Sequence, residues 1–301
     1  MVEIYLLGVI CAILSGVVAA LGNILQKSAV NKIPREKDDE NIMGILIKSP
    51  SWIIGSILCY GVSTIFIVLA QFYIGPALIP GLYAAGLIVL AIGSAKLIGE
   101  GLSLAEYIAI LIIIVGVFLI GLSKLDIPVN EIKNLDYRLL IRMALFSFIL
   151  IFLWFLITIA VNKDINRKGI ALAIAGGILF SLAGIHLFFL LIVANFLFKG
   201  EIQAIYIIIL IAAIGAIAFG NYLGIKQTQE AYKYAQASKV QPTQEVPKQI
   251  IAICIYFLLF LKITSIISVF YILFGVSLVI CAGFILGNRQ DQLEDIDKKA
   301  D

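Results

Sequence analysis

The sequence contains little charge for its length. Only 14% of its 301 residues are Asp, Glu, Lys or Arg, 62% are hydrophobic, and the mean hydropathy is +1.08. Soluble domains average about 25% charged residues, and apolar runs of about 18 or more residues are typical of membrane spans. The net charge of +3 is too small to indicate a nucleic-acid partner. We therefore expect an integral membrane protein surrounded by a lipid bilayer.

Histidine and aspartate are scarce where catalysis would need them. His186 is the single histidine, and no aspartate falls inside an apolar segment. The sequence has no HExxH motif and no evident nucleophile–base pair, which disfavours an enzyme. It also has no glycine-rich phosphate loop, which disfavours transport driven directly by ATP hydrolysis. We predict no enzymatic activity and no cofactor, and no metal ligands can be assigned. His186 is interpreted as a packed or hydrogen-bonded helix residue, with a proton relay as the alternative.

Cysteine is also sparse, and its positions exclude two classes of site. Each of the four cysteines stands alone in an apolar run, without the spacing of metal ligands or of a disulfide framework. We interpret them as small core residues. The first apolar run lacks a basic n-region and a clear cleavage site, so we expect a retained helix there rather than a signal peptide.

Long apolar runs fill most of the chain. Backbone groups in lipid must be hydrogen-bonded internally, so these runs should be helices. Their length and continuity do not fit barrel strands, which alternate over about ten residues. The predicted fold is an all-α integral membrane protein with nine or ten transmembrane helices. The nine segments are 4–27, 51–74, 76–98, 104–123, 139–161, 169–197, 203–226, 240–261 and 265–287.

The distribution of Lys and Arg predicts the orientation of these helices. With nine spans and an outside N-terminus, the inner side holds fifteen of the 22 basic residues and the outer side holds six. Lys248 is the remaining one and falls within the membrane. We therefore expect a multi-pass protein of the cell membrane with its N-terminus outside and its C-terminus in the cytoplasm. The charged run at 35–40 is interpreted as part of a solvated loop.

Short stretches recur in the same order in the two halves of the chain. Residues 16–22 resemble 177–183, residues 76–80 resemble 238–242, and residues 116–120 resemble 275–279. Five spans would precede the second repeat, so it would enter the membrane from the opposite side, an architecture of secondary transporters. Chance recurrence of glycine and proline in apolar helices is the alternative.

The repeat divides the chain into four parts. These are a first repeat at 1–123, a connection with a linker helix at 124–168, a second inverted repeat at 169–287, and a polar C-terminal tail at 288–301.

One polar stretch, at 238–249, stands out because the apolar run behind it, 250–261, has only twelve residues. A span needs about 20 residues, so a membrane-crossing eighth segment must include the polar residues. Pro242 and Pro247 remove backbone donors there, and we expect a local break in the helix.

The polar residues of the eighth segment form a stripe. Gln241, Gln244, Glu245 and Lys248 recur at helical spacing on one face, and the last two, three residues apart, can pair. Because a polar stripe facing lipid is unfavourable, we expect it to face a cavity between the halves. The alternative is a segment at the cytoplasmic interface, where the pair is only an anchor.

The stripe supplies most of the predicted site. Tyr83 is added because it follows Pro80 by three residues, as Glu245 follows Pro242. The candidate substrate-binding residues are Glu245, Lys248, Gln241, Gln244, Tyr83, Asn23 and Asn221.

A carboxylate beside an ammonium has two functional readings. In the first, Lys248 neutralises Glu245 until a substrate or a proton displaces it. In the second, the pair binds a zwitterionic or polar metabolite by both ends. A bare divalent cation prefers several oxygen ligands, and a neighbouring lysine opposes it.

Four motifs resemble the drug/metabolite transporter (EamA-like) superfamily. They are Gly-Asn-Ile-Leu-Gln-Lys at 22–27, Gly-Pro-Ala-Leu-Ile-Pro at 75–80, Leu-Ile-Gly-Glu-Gly-Leu at 97–102 and Gly-Val at 116–117. The resemblance covers about residues 4–287 and implies transport of a small solute.

Within that superfamily, the chain most resembles the NIPA-type magnesium transporters. The similar stretches are Lys-Ser-Pro-Ser-Trp-Ile-Ile-Gly at 48–55 and Ala-Ser-Lys-Val-Gln-Pro at 237–242, together with the count of nine helices. Two features depart from that branch. The helix after Pro242 is polar, and Lys262 stands in the second repeat where Glu100 stands in the first.

The sequence thus favours a secondary transporter that moves a small polar or cationic metabolite by alternating access. A NIPA-like transporter of magnesium or another divalent cation is one alternative, and a non-transporting accessory membrane subunit is another. The expected partners are a small-molecule or ion substrate and the bilayer. The oligomeric state stays open, with a homodimer considered.

Overall fold

The computed structural model describes residues 2–30, 46–98, 104–161, 168–201, 203–234 and 237–300. All regular secondary structure in these ranges is helical, and no strand occurs among them. The prediction of an all-helical fold is confirmed. The charged run at 35–40 and Glu100 lie outside the described residues.

Each predicted apolar segment corresponds to one helical element of the described chain. The elements are α1 (Val2–Val30), α2 (Pro50–Ile74), α3 (Ile79–Tyr83 and Gly86–Ile98), α4 (Leu104–Leu122), α5 (Tyr137–Val161), α6 (Lys168–Phe198), α7 (Ala204–Tyr234), α8 (Ala237–Cys254) and α9 (Ile266–Ala300).

Six stretches of these helices are long and apolar enough to cross a membrane. Large apolar side chains such as Phe118, Phe148 and Ile211 are exposed on the outside of the bundle, where lipid is a better solvent for them than water. These helices indicate a membrane protein. The six stretches are Glu3–Gln26, Pro50–Ile74, Tyr137–Ala160, Lys168–Phe198, Ala204–Tyr232 and Ile266–Ile285, and two shorter apolar stretches are Ile79–Gly93 and Tyr107–Leu122.

The helices pack as two similar groups. In the first half α1 packs against α2 and α3, and in the second half α6 packs against α7 and α8. Helices α4 and α9 pack together and join the halves, while α5 lies on the outside against α6. This arrangement brings α1, α2 and α3 close to α6, α7 and α8.

The break expected at Pro242 and Pro247 is not seen, because α8 continues through both prolines. A proline removes one backbone donor, but α8 is packed along α6, and this packing holds the helix together. The departure from α-helical geometry comes later, in a π-helical turn at Ile255–Leu259, and α2 contains another at Ile57–Val62. Helix α9 continues to Ala300, so the polar tail is helical over its described part.

The connection between α4 and α5 is tied to the end of α2. Leu125, Ile127 and Val129 are fully buried, and the Ile127 N–H donates to the Ile74 carbonyl over 3.0 Å. Gly75, at the end of α2, has φ +72°, and a Cβ there would lie 2.5 Å from the Ile127 carbonyl oxygen. Glycine is therefore needed both for the backbone conformation and for the close approach.

Replacing Gly75 with alanine is expected to destabilise the protein by about 1–3 kcal/mol from backbone strain, and further through the contact with Ile127. The measurement is the midpoint of thermal unfolding in detergent. Gly200→Ala is the matched control, because Gly200 also has positive φ but no atom within 4 Å of an added Cβ. Equal losses of stability for the two variants would mean that the connection between α4 and α5 moves away from the added methyl group without destabilising the protein.

Candidate functional site

A cavity of about 240 Å³ lies between the two halves of the bundle. Helices α1, α2 and α3 from the first half and α6, α7 and α8 from the second contribute to its walls. The structure brings all the candidate residues to this one cavity. They are Asn23, Tyr83, Asn221, Gln241, Gln244, Glu245 and Lys248.

The polar stripe of α8 faces this cavity. Its four polar residues line the wall, and Ile251, Ala252 and Ile255 continue the same helical face. Three of the four are almost completely buried: Gln241, Gln244 and Glu245 are 6%, 2% and 3% exposed. The stripe therefore lies inside the bundle and not against headgroups.

Glu245 and Lys248 form an ion pair inside the bundle. The Lys248 Nζ donates to Glu245 Oε1 over 2.8 Å, and the lysine side chain is 17% exposed. The second oxygen of the carboxylate, Oε2, is buried and has no hydrogen-bond partner among the described residues. Removing two charges from water is costly, and their mutual attraction compensates only in good geometry.

Two aromatic rings flank the Lys248 ammonium. Its Nζ lies 5.5 Å from the centroid of the Tyr83 ring and 5.2 Å from that of Phe180. Both distances are within the range of a cation–π attraction. The ammonium is thus surrounded by one carboxylate and two ring faces, from α8, α3 and α6 respectively.

The glutamines of the stripe donate to α7. The Gln244 Nε2 donates to Thr228 Oγ1 over 2.7 Å, and Thr228 Oγ1 donates to the Gly224 carbonyl over 2.8 Å. Gln241 Nε2 donates to the Tyr232 hydroxyl. These bonds hold α8 on α7 and occupy amide donors of both side chains.

A second polar network connects the halves beside the cavity. Gln229 of α7 donates to Gln26 Oε1 of α1 over 3.1 Å, and Gln26 donates to Ser56 of α2 over 3.2 Å. Asn23 accepts a hydrogen bond from Cys59 over 3.4 Å.

The sequence analysis missed several residues of the cavity wall. Cys59, Tyr60 and Phe180 lie in apolar runs, where nothing in the sequence separates a cavity-facing side chain from a lipid-facing one. Thr228 is close to the polar end of α7, in a segment whose composition is typical of a membrane interface. The π-helical turn that contains Cys59 and Tyr60 is a geometric signal that the sequence does not contain.

His186 is not part of the cavity wall. It is 5% exposed, and its Nδ1 is 2.9 Å from the Leu182 carbonyl oxygen one turn earlier. The four cysteines are free thiols. In the part of the chain that the structure describes, no three His, Cys, Asp or Glu side chains come together as a metal site would require.

Comparison of the chain with protein-family models, with curated proteins and with solved structures finds no match.

Proposed function

We propose that this protein is a multi-pass secondary transporter that moves a small polar or cationic metabolite by alternating access between its two halves. The observation that carries the proposal is the Glu245–Lys248 ion pair, buried in a cavity that both halves line. Charged residues inside a membrane bundle are costly and are generally functional. A polar site between two halves is where secondary transporters bind their substrates.

The proposal includes nine spans. Six stretches satisfy the length and composition of a span, and the apolar stretches of α3 and α4 are shorter. Helix α8 is polar on one face, and that face is turned to the cavity rather than to lipid. With α3, α4 and α8 counted as spans, the connections alternate between the two sides of the membrane.

Close helix contacts support the inverted repeat. A Cβ on Gly16 of α1 would lie 2.0 Å from the Tyr83 carbonyl oxygen of α3. A Cβ on Gly177 of α6 would lie 2.5 Å from the Gln244 carbonyl oxygen of α8. Gly16 and Gly177 are equivalent in the repeat, and at each of them the first helix of its half is in close contact with backbone of the third.

The contact between α4 and α9 has the same character. A Cβ on Gly116 would lie 2.9 Å from the Gly275 carbonyl oxygen, and one on Gly275 would lie 2.8 Å from the Gly116 carbonyl oxygen. The two glycines are equivalent in the repeat. Reciprocal contact of equivalent residues is expected near a two-fold axis, which supports halves related by such an axis.

A divalent-cation transporter of the NIPA type is the second candidate. The unpartnered Oε2 of Glu245 is a carboxylate oxygen of the kind that magnesium prefers. The Lys248 ammonium, 2.8 Å from the other oxygen, opposes a second cation at that place. The metabolite transporter is therefore the better supported of the two.

Nine spans predict that the two termini lie on opposite sides of the membrane, with the N-terminus outside and the C-terminus in the cytoplasm. Protease protection of N-terminal and C-terminal epitope tags in sealed cells and in inverted vesicles measures this directly. If only the six long stretches spanned, both termini would be found on the same side, and the nine-span proposal would be wrong.

Transport is tested with the purified protein in sealed liposomes and a panel of amines, amino acids, neutral polar solutes and magnesium. We expect uptake of at least one polar or cationic organic solute. Glu245→Gln should reduce its initial rate about tenfold or more, since hydrogen bonds to charged groups contribute about 1.5–3 kcal/mol. Glu201→Gln, the same change at an exposed position, is the control.

The outcomes of this experiment separate the candidates. Magnesium flux that depends on Glu245, without flux of organic solutes, would favour the divalent-cation transporter. An absence of flux for every solute in a correctly folded protein would contradict transport and favour an accessory subunit.

A further inference from the structure

We propose that the cavity is a binding site for organic ammonium ions and that Lys248 is its built-in competitor. This inference rests on the proposed transport function and specifies the class of substrate. In the structure the lysine ammonium is in the place that the ammonium of the substrate takes. The substrate displaces it from the carboxylate, and Lys248 moves into the open part of the cavity.

The surroundings of the lysine ammonium are those of an ammonium receptor. Glu245 Oε1 lies 2.8 Å from Nζ, and the rings of Tyr83 and Phe180 lie at 5.5 and 5.2 Å. A carboxylate combined with aromatic faces is the chemistry by which proteins recognise alkylammonium ions. The two rings and the carboxylate belong to three different helices, so the fold assembles the set around one point.

The unpartnered atom of the ion pair is a hydrogen-bond acceptor. Glu245 Oε2 is buried and has no partner among the described residues, while Gln244 and Gln241 use amide N–H groups on Thr228 and Tyr232. A ligand that brings N–H donors and positive charge satisfies the free oxygen. A ligand carboxylate or phosphate placed at this oxygen would face a like charge, which is unfavourable.

Lys248 is suited to the role of a displaceable cation. Its side chain is 17% exposed and lines the cavity, so a ligand can reach it. An ammonium on a four-carbon stem has several rotatable bonds and makes no bidentate, orientation-locked contact of the arginine type. A tethered cation competes at a high effective concentration, and its removal should therefore strengthen the binding of a free cation.

The test is a binding titration of the full chain in detergent micelles by calorimetry, with n-butylammonium as the probe. The neutral n-butanol and the anion butyrate serve as matched ligands, and 4-aminobutyrate represents a zwitterion. We expect Lys248→Met to bind n-butylammonium at least about tenfold more tightly than the parent chain. Lys248→Met should show no comparable gain for n-butanol or butyrate.

Two further variants keep the proposal testable if Lys248→Met does not fold. Phe180→Leu and Tyr83→Leu remove one ring face each and leave the ion pair in the chain. Each should weaken n-butylammonium binding several-fold, as loss of a cation–π contact does, and leave the binding of n-butanol unchanged.

Three results would overturn the proposal. One is Lys248→Met binding n-butylammonium no better than the parent, and another is no preference for ammonium over n-butanol. The third is tight binding of 4-aminobutyrate that is lost with Lys248, since this would mean that the ion pair binds a zwitterion by both ends. Ammonium binding as expected, but without flux in liposomes, would support the ammonium site and contradict transport. Flux of another solute without ammonium binding would support transport and contradict the ammonium site.

Discussion

Replacement of Lys248 by methionine is expected to destabilise the ligand-free protein by about 3–5 kcal/mol, because it leaves a buried carboxylate without its partner. Glu245 is only 3% exposed, and its second oxygen already lacks a hydrogen bond among the described residues. Loss of the contact at 2.8 Å removes the ion pair that compensates this charge among the described residues. The measurement is thermal unfolding in detergent without added amines.

The double variant Glu245→Gln/Lys248→Met separates this effect from loss of packing. Once the carboxylate is neutral, methionine in place of lysine costs little, so the double variant should recover most of the lost stability. Lys199→Met, at an exposed position, is the control for the substitution itself and should change stability by less than about 0.5 kcal/mol. A double variant as unstable as Lys248→Met alone would contradict the assignment of the cost to the unpaired charge.

The same measurement links stability to the ammonium site. A cation that binds only the folded protein raises its stability by mass action. Addition of n-butylammonium should therefore raise the unfolding midpoint of Lys248→Met more than that of the parent chain. Butyrate at the same concentration should not do so.

The second large effect is expected at Gly16, where α1 and α3 are in backbone contact. Gly16→Ala places a Cβ 2.0 Å from the Tyr83 carbonyl oxygen, and a Cβ added to Gly86 of α3 would lie 2.2 Å from the Gly16 carbonyl oxygen. Backbone atoms cannot rotate away, so the helices must separate. Overpacking typically costs about 1–3 kcal/mol, and we expect Gly16→Ala to exceed the upper end of that range.

The control for this prediction is Gly215→Ala, because an added Cβ at Gly215 meets nothing within 4 Å. Alanine is the better helix former by about 1 kcal/mol, so Gly215→Ala should be neutral or slightly stabilising. Gly177→Ala, at the equivalent contact of the second half, should resemble Gly16→Ala. If all three variants unfolded at the same temperature, the close approach of α1 and α3 would have to be rejected.

Displacement of α3 should also affect the site. Tyr83 lies on α3 and faces the Lys248 ammonium from 5.5 Å. If Gly16→Ala still folds, it should weaken n-butylammonium binding along with stability, whereas Gly116→Ala, whose added Cβ meets Gly275 of α9 outside the cavity wall, should affect mainly stability. This difference distinguishes a local effect on the cavity from general destabilisation.

Hydrophobicity and periodicity were sufficient to predict the helices and the face that α8 turns inward. Each of the nine apolar segments corresponds to a helix of the described chain, because an apolar run of that length has no other way to satisfy its backbone. The stripe from Gln241 to Lys248 was visible from its 3.6-residue period alone. The number of spans, the inverted repeat, the substrate-binding roles and transport remain predictions.

Proline was a weaker guide than hydrophobicity. Pro242 and Pro247 predict a break by their local chemistry, yet α8 continues through both. Tertiary packing along α6 outweighs the loss of two backbone donors, and no local rule contains that packing energy. The π-helical turn at Ile57–Val62 is the opposite case, since nothing in its composition predicts it.

By itself, the sequence determined the apolar character of the protein and its helical class, and it predicted a carboxylate and an ammonium on one face of α8. These are properties of composition and of spacing within one helix, so they need no knowledge of the other helices. Only the tertiary structure decided what surrounds the pair: the rings of Tyr83 and Phe180, and the bond from Gln229 to Gln26 across 203 positions of the chain. Such contacts depend on how helices cross, which is set by the approach of small residues such as Gly16 and Gly177 to backbone on a neighbouring helix.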